Sequence, residues 1–211
     1  MGISQKLLSL ALSKKSVLLD LDNTVYKYDP CHQKAMDRVF SEYRKICEPV
    51  SRTVFDREYK KAQKQVKGLT KKQAASHSRL LYFQALLENR FNCTCYEETL
   101  RLEKLYWQTF MKSMRLEKWV LPFLTELKKQ RIPVVIVTDL TAEIQMKKIK
   151  KLGLIKWTHA LVSSEEAGVE KPDKRIFMLA LKKVNCNPRQ ALLVGDGEHR
   201  DTCPGITTFR V

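Results

Sequence analysis

Four short apolar runs along the chain each end in polar or acidic residues. Val17-Leu18-Leu19 runs into Asp20, and Pro133-Val134-Val135-Ile136-Val137 into Thr138 and Asp139. Ala160-Leu161-Val162 runs into Ser163 and Ser164, and Ala191-Leu192-Leu193-Val194 into Gly195 and Asp196. The apolar residues are continuous rather than alternating. Strands of that kind are buried on both faces, so the runs predict a parallel sheet covered by helices. Between them the spacing turns helical. Thr141 to Leu152 sets Ile144, Ile149 and Leu152 among lysines. Asp173 to Val184 follows Pro172 and carries Ile176, Phe177, Leu179, Ala180 and Val184 at helical intervals. Strands alternating with helices predict a doubly wound, Rossmann-like α/β fold.

One connection is far too long for that scheme. The first strand ends near Leu21 and the second begins near Val134, over a hundred residues later. A parallel crossover needs only about a dozen. Helical patterns fill the gap: from Asp29-Pro30, a good cap and first-turn pair, to Ile46, and then over 51–67, 71–90 and 96–114. Residues 118–130 read as the helix leading into the second strand. The expectation is a core domain from 1–27 and 116–211 with an all-helical insertion at 28–115. Within the insertion, Phe55, Tyr59, Ala62, Val66 and Leu69 form a face that should be buried. Arg57, Lys60, Lys61, Lys64, Lys67 and Lys71 form the other, either a solvated face or a wall that attracts anions. At the carboxyl end, only four residues separate Asp201 from the β-prone segment beginning at Ile206. That predicts an irregular edge strand, or a sheet that stops at four strands.

Composition and charge narrow the class. With 211 residues and 44% hydrophobic content the chain reads as a soluble globular protein. No apolar run approaches the ~20 residues of a membrane span, so no membrane partner is expected. Leu7 to Leu12 is short, broken by Ser9 and followed by Lys14 and Lys15, unlike a secretory signal. Gly2 lacks the Ser or Thr that myristoylation requires, because Lys6 stands there. The six cysteines read as free thiols of a reducing, cytoplasmic compartment. Cys93 and Cys95 have one residue between them, not the two of the usual zinc spacing. Lys plus Arg outnumber Asp plus Glu by 39 to 23, a net charge of +16. Such a field attracts phosphorylated metabolites, nucleic acid or acidic lipid alike. Nucleic acid rests on charge alone, since no aromatic-rich basic motif accompanies it.

The chemistry-bearing residues gather at carboxyl ends of strands: Asp20 and Asp22, Thr138, and Asp196. Open parallel sheets bind ligands along that edge. Lys171 is the candidate cation. Taken in order, Asp20-Leu21-Asp22-Asn23-Thr24, then Thr138, then Glu170-Lys171-Pro172, then Gly195-Asp196 with Asp201, resemble the four motifs of the haloacid dehalogenase-like hydrolase superfamily. Residues 16–27 and 118–205 carry the resemblance. The insertion resembles the helical cap of subfamily I by position and helical character.

The resemblance implies that Asp20 is a nucleophile attacking phosphorus. It implies Mg²⁺ held by Asp20, the backbone carbonyl of Asp22 and the carboxylate of Asp196, an oxygen-only site suited to that ion. Lys171 and Thr138 would bind the phosphoryl oxygens, and Asp201 would support the metal or its water. Asp22, two residues after the nucleophile, resembles the acid that protonates the leaving alcohol and then activates water. Relatives that cleave carbon–halogen bonds lack an Asp there, so a phosphate ester is the implied substrate. The expected function is Mg²⁺-dependent hydrolysis of a small phosphorylated substrate, a sugar phosphate or nucleoside monophosphate, through an aspartyl-phosphate. A mutase, a weakly active binding or regulatory protein, and a phosphatase of nucleic-acid ends stay open at this point. Two residues depart from the motifs: Asp139 adds a negative charge beside Thr138, and Arg200 precedes Asp201 where a small polar residue is frequent. Tyr26 and Tyr28 either touch substrate or pack.

Overall fold

The computed structural model describes residues 4–47, 49–71 and 73–211. Gly2 lies outside them. Five strands form one parallel sheet in the order β3-β2-β1-β4-β5, where β1 is Ser16–Leu19, β2 Val134–Thr138, β3 Ala160–Ser163, β4 Ala191–Gly195 and β5 Thr207–Arg210. In β1, β2 and β4 every residue is buried, as continuous apolar runs require. Leu18, Val135, Val137 and Leu193 pack with Ile176, Phe177 and Ala180 of one helix, Lys174–Lys183. Their neighbours Val17, Leu19, Val134 and Ile136 turn to the opposite face, because side chains alternate along a strand. The α/β Rossmann-like fold is therefore present.

The helices, in chain order, are α1 Gln5–Leu12, α2 Tyr28–Ile46, α3 Arg52–Leu69, α4 Arg79–Phe91, α5 Tyr96–Ser113, α6 Val120–Lys129, α7 Ala142–Lys151, α8 Ser164–Ala167 and α9 Lys174–Lys183. The segment weighed as a signal is α1, whose Leu7 and Ala11 are buried. Among the described residues no helix is long and apolar enough to cross a membrane. All six cysteines are free; Cys93 is exposed and Cys31, Cys47 and Cys203 are buried.

The carboxyl-terminal segment corrects the sequence expectation. β5 pairs with β4 in regular parallel register, from Leu192 opposite Thr207 to Gly195 opposite Arg210. The crossover is measured from the end of β4, not from Asp201. It spans residues 196–206, eleven in all, close to the usual minimum. Gly205, at φ +85°, makes the turn that a residue with a Cβ rarely adopts.

The chain divides into two compact units, Met1–Tyr28 with Arg115–Val211, and Asp29–Met114. Where the first unit's chain departs and returns, Tyr26 bridges Leu116, and the Glu117 N–H donates to the Val25 carbonyl at 2.9 Å. The second unit is helical. Ser51 and Ser78 accept from Val54 and Leu81 N–H groups and so cap α3 and α4. The expected helix over 71–90 is instead a 3₁₀ turn, Ala74–His77, followed by α4. The unit's core is aromatic: Phe55 lies 5.1 Å from Tyr43, and Tyr106 lies 4.9 Å from Trp107, centroid to centroid. Phe55, Tyr59, Ala62 and Val66 are buried as expected. Leu69 is not. It is 80% exposed, at the last residue of α3. Arg57, Lys60, Lys61, Lys64, Lys67 and Lys71 are exposed and make no ion pair among the described residues.

Candidate active site

Two strand ends, a turn and a loop deliver a largely buried charge cluster within the α/β unit. Asp20 follows β1, Asp196 follows β4, and Asp201 lies in the turn after it. Oxygens of these three carboxylates lie within 4.8 Å of one another. Lys171, at a cis Lys171–Pro172 peptide, donates from Nζ to Asp20 Oδ1 at 2.5 Å and to Asp201 Oδ1 at 2.6 Å. Lys171, Asp20 and Asp201 are all buried. Thr24 ties the first and last motifs: its hydroxyl donates to Asp20 Oδ2 at 2.7 Å and accepts from the Asp196 N–H at 3.1 Å.

One lysine is shared by two carboxylates, and the electrostatics follow. Burial pushes the Asp20 carboxyl up to about 6, against the pull of Lys171 and with a further push from Asp201. Burial would lower Lys171, but Asp20, Asp201 and Asp139 together raise it above the ordinary lysine range. The cluster is thus short of positive charge. An oxygen-only set of carboxylates with unbalanced negative charge fits a hard divalent cation.

Gly195 is required by this packing. A Cβ there would lie 2.4 Å from Asp201 Cγ, far inside van der Waals contact. Asp201 is held in place from its other oxygen as well, which accepts from the Gly197 N–H at 2.9 Å.

The Asp22 carboxylate stands outside that group, in a second network. Lys148 of α7 donates to Asp22 Oδ1 at 2.7 Å and Oδ2 at 2.9 Å. The Tyr26 hydroxyl donates to Oδ1, and Gln145 Nε2 lies 3.3 Å from Oδ2. Burial would raise Asp22, but Lys148, aided by Tyr26 and Gln145, holds it below the usual carboxylate range. Gln145 also donates to the Thr138 hydroxyl oxygen at 2.7 Å. The Thr138 proton has only a long 3.4 Å contact with the Asp139 carbonyl, so it stays available to a ligand. Tyr26 is fully buried and packs under this network.

Sequence reasoning missed Gln145 and Lys148. Both are fully buried on the stripe of α7 that also carries Ile144 and Ile149. The available signal was their position on an apolar face, but Lys148 is one of four lysines in the five residues 147–151 and reads as surface. The two departures from the motif pattern resolve each other. Arg200 Nη2 donates to Asp139 Oδ2, and Asp139 Oδ1 accepts from the Lys171 N–H at 3.0 Å. The extra acid is therefore paired and pins the loop that carries Lys171. His199 is exposed.

The model of the haloacid dehalogenase-like hydrolase family matches residues 14–202. The chain belongs to that family. This hydrolase is 33% identical over 186 residues to the ribulose-1,5-bisphosphate 5-phosphatase of Halopiger xanaduensis, a match covering 88% of the chain and 78% of that protein. It is 28% identical over 202 residues to the glyceraldehyde 3-phosphate phosphatase of Methanopyrus kandleri, covering 93% and 83%. Among solved structures it resembles the HAD-hydrolase YfnB of Bacillus subtilis bound to magnesium, with a TM-score of 0.68, 20% identity, and 92% and 87% of the two chains covered. At that identity the structural likeness speaks to the fold.

Proposed function

We propose that this hydrolase is a Mg²⁺-dependent phosphomonoesterase that works through an aspartyl-phosphate on Asp20. The observation that carries the reading is Lys171 Nζ held between Asp20 and Asp201 with Asp196 beside them. That is a carboxylate nucleophile next to a fixed cation and an oxygen-only metal pocket. Asp20 and Asp196, with the backbone of Asp22, would hold the metal, and Asp201 anchors Lys171 and stands ready as a further oxygen donor. Bound Mg²⁺ supplies positive charge against the phosphoryl oxygens.

The protein's own groups do the rest. An oxygen of Asp20 attacks phosphorus as the ester P–O bond breaks. Asp22, ionised beside Lys148 at rest, first takes the proton that a phosphate-ester monoanion brings and passes it to the leaving alkoxide. Water then attacks phosphorus of the acyl phosphate and gives a proton back to Asp22. Phosphate leaves and the Asp20 carboxylate is restored. Lys171 and the Thr138 hydroxyl hold the phosphoryl oxygens throughout. The similarity to the Halopiger and Methanopyrus phosphatases over most of the chain favours a small sugar phosphate over a nucleoside monophosphate. The helical unit, 28–115 as read from the sequence, would act as a cap that selects among such esters. The features that favoured a weakly active protein lose their force: β5 completes the sheet, and Arg200 offsets Asp139.

The test is phosphate release from a panel of sugar phosphates. Activity should require Mg²⁺, disappear with a chelator and disappear in Asp20→Asn. Undiminished turnover in Asp20→Asn would remove Asp20 from the nucleophile's role.

A further inference from the structure

Asp22 is held by an unusual partner. Lys148 is fully buried, with 0% of its side chain exposed, whereas 29% of the Asp22 side chain is exposed. The lysine grips both carboxylate oxygens, at 2.7 and 2.9 Å. Its Nζ lies 5.9 Å and 5.8 Å from the ring centroids of Tyr26 and Tyr28. Gln145, one helical turn earlier on the same face, reaches Asp22, Thr138 and the Asp139 carbonyl together. A charge sealed on an apolar helix stripe is costly to desolvate, and apolar residues in place of both members of such a pair often serve stability as well or better. The pair is therefore better explained by what it does to Asp22 than by what it adds to the core.

We propose that Lys148 is a positioning residue, which with Gln145 fixes the direction of the Asp22 carboxylate so that its exposed edge meets the leaving-group oxygen. The proposal rests on the acid–base reading of Asp22. Two oxygens gripped by one ammonium cannot rotate freely about the terminal carboxylate bond, and a proton transfer is efficient only when donor and acceptor are aligned. Gln145 couples the same orientation to Thr138, so one helix sets both the acid–base group and the hydroxyl aimed at the phosphate.

The experiment compares kcat/KM, which reports formation of the phospho-enzyme, on p-nitrophenyl phosphate and on an alkyl phosphate such as glycerol phosphate. The nitrophenolate group leaves with little help from an acid; the alkoxide does not. Asp22→Asn should lose ~10²-fold or more on the alkyl ester, and much less on the aryl ester. Lys148→Met should show the same selectivity. Each variant should give a burst of nitrophenolate with phosphate trapped on Asp20, because hydrolysis of the intermediate also uses Asp22. The double variant Asp22→Asn/Lys148→Met should be no slower than Asp22→Asn alone, since a positioning residue has nothing left to position.

Lys148→Met leaves the Asp22 charge without its partner, and such a protein can fail to fold. Lys148→Arg keeps the charge but changes its shape. It should stay folded, because the buried charge keeps its partner, and still lose selectively on the alkyl ester. Equal losses on both esters in the Lys148 variants, beside a selective Asp22→Asn, overturn the proposal alone. So do multiplicative losses in the double variant. An Asp22→Asn protein with no selectivity overturns the acid–base reading, and the proposal falls with it.

Discussion

Gly195 shows how closely single atoms bound the candidate site. Its missing side chain leaves room for the Asp201 carboxylate, and a methyl group would meet Asp201 Cγ at 2.4 Å. In Gly195→Ala either Asp201 or the strand end must move, and Lys171 loses one of its two fixed acceptors. A displacement of ~1 Å in such a site costs on the order of 10²-fold in rate. We expect kcat/KM with a preferred sugar phosphate to fall by about that factor, with a lowered melting temperature. A variant with the parent's rate and melting temperature would show that the Asp201–Lys171 contact has slack. Asp20, Asp22, Thr138 and Asp196 were legible in the sequence because each follows an apolar run that could only be a buried strand. Lys171 was legible through its motif. Gln145 and Lys148 were not, because the burial of a polar side chain is decided by tertiary partners. Asp22 lies 126 residues from Lys148, and no local pattern encodes that pairing.

At the scale of elements, the sheet was readable wherever the apolar run was continuous, including the edge strand β3, whose Ala160 and Leu161 are only half-buried rather than covered on both faces. β5 was misjudged because the edge strand has an alternating half-exposed pattern and its crossover contains no helix to announce it. The helical unit was readable as helices and in most of the buried face of α3, but not in how its polar side chains meet inside it. His32 of α2 illustrates what that interior does. Its Nδ1 lies 2.7 Å from the Tyr106 hydroxyl of α5. Burial, with help from the Arg79 charge, holds its pKa down at about 4 against an ordinary 6.5. A histidine kept neutral by folding takes up its proton more readily when unfolded. Its contribution to stability is therefore fully present above pH ~6.5 and is lost as pH falls toward 4. The loss is on the order of 2–3 kcal/mol, given that His32 is only partly buried. Thermal melts between pH 7 and 4.5 should show the parent losing stability over that window, and His32→Gln losing clearly less. Parallel pH profiles for the two proteins would mean that His32 is not protonated more easily on unfolding.

The whole molecule carries a net charge of +16, and the residues of the α/β site account for little of it. In residues 28–115, 18 basic residues face 10 acidic ones, so half of the excess lies in the helical segment. On α3 and just beyond, Arg57, Lys60, Lys61, Lys64, Lys67 and Lys71 stand exposed and make no ion pair among the described residues. Unpaired exposed cations add little to stability, and like charges at neighbouring helical positions reduce it slightly. Their effect is felt at longer range, as a field that raises the encounter rate with anions. A phosphorylated metabolite is such an anion, so the charge and the hydrolase chemistry point to the same class of ligand. Exposed charges are screened over ~8 Å at physiological ionic strength, which makes the field separable from the chemistry. Replacing Lys60, Lys61, Lys64 and Lys67 by Gln lowers the net charge by four, from +16 to +12. For the parent, kcat/KM with an anionic ester should fall as salt rises. In the variant it should be lower at low salt, fall less steeply, and converge with the parent at high salt, with kcat unchanged. If both proteins keep the same rates and the same salt slope, these lysines do not contribute to substrate capture, and the excess charge must be assigned to the rest of the surface.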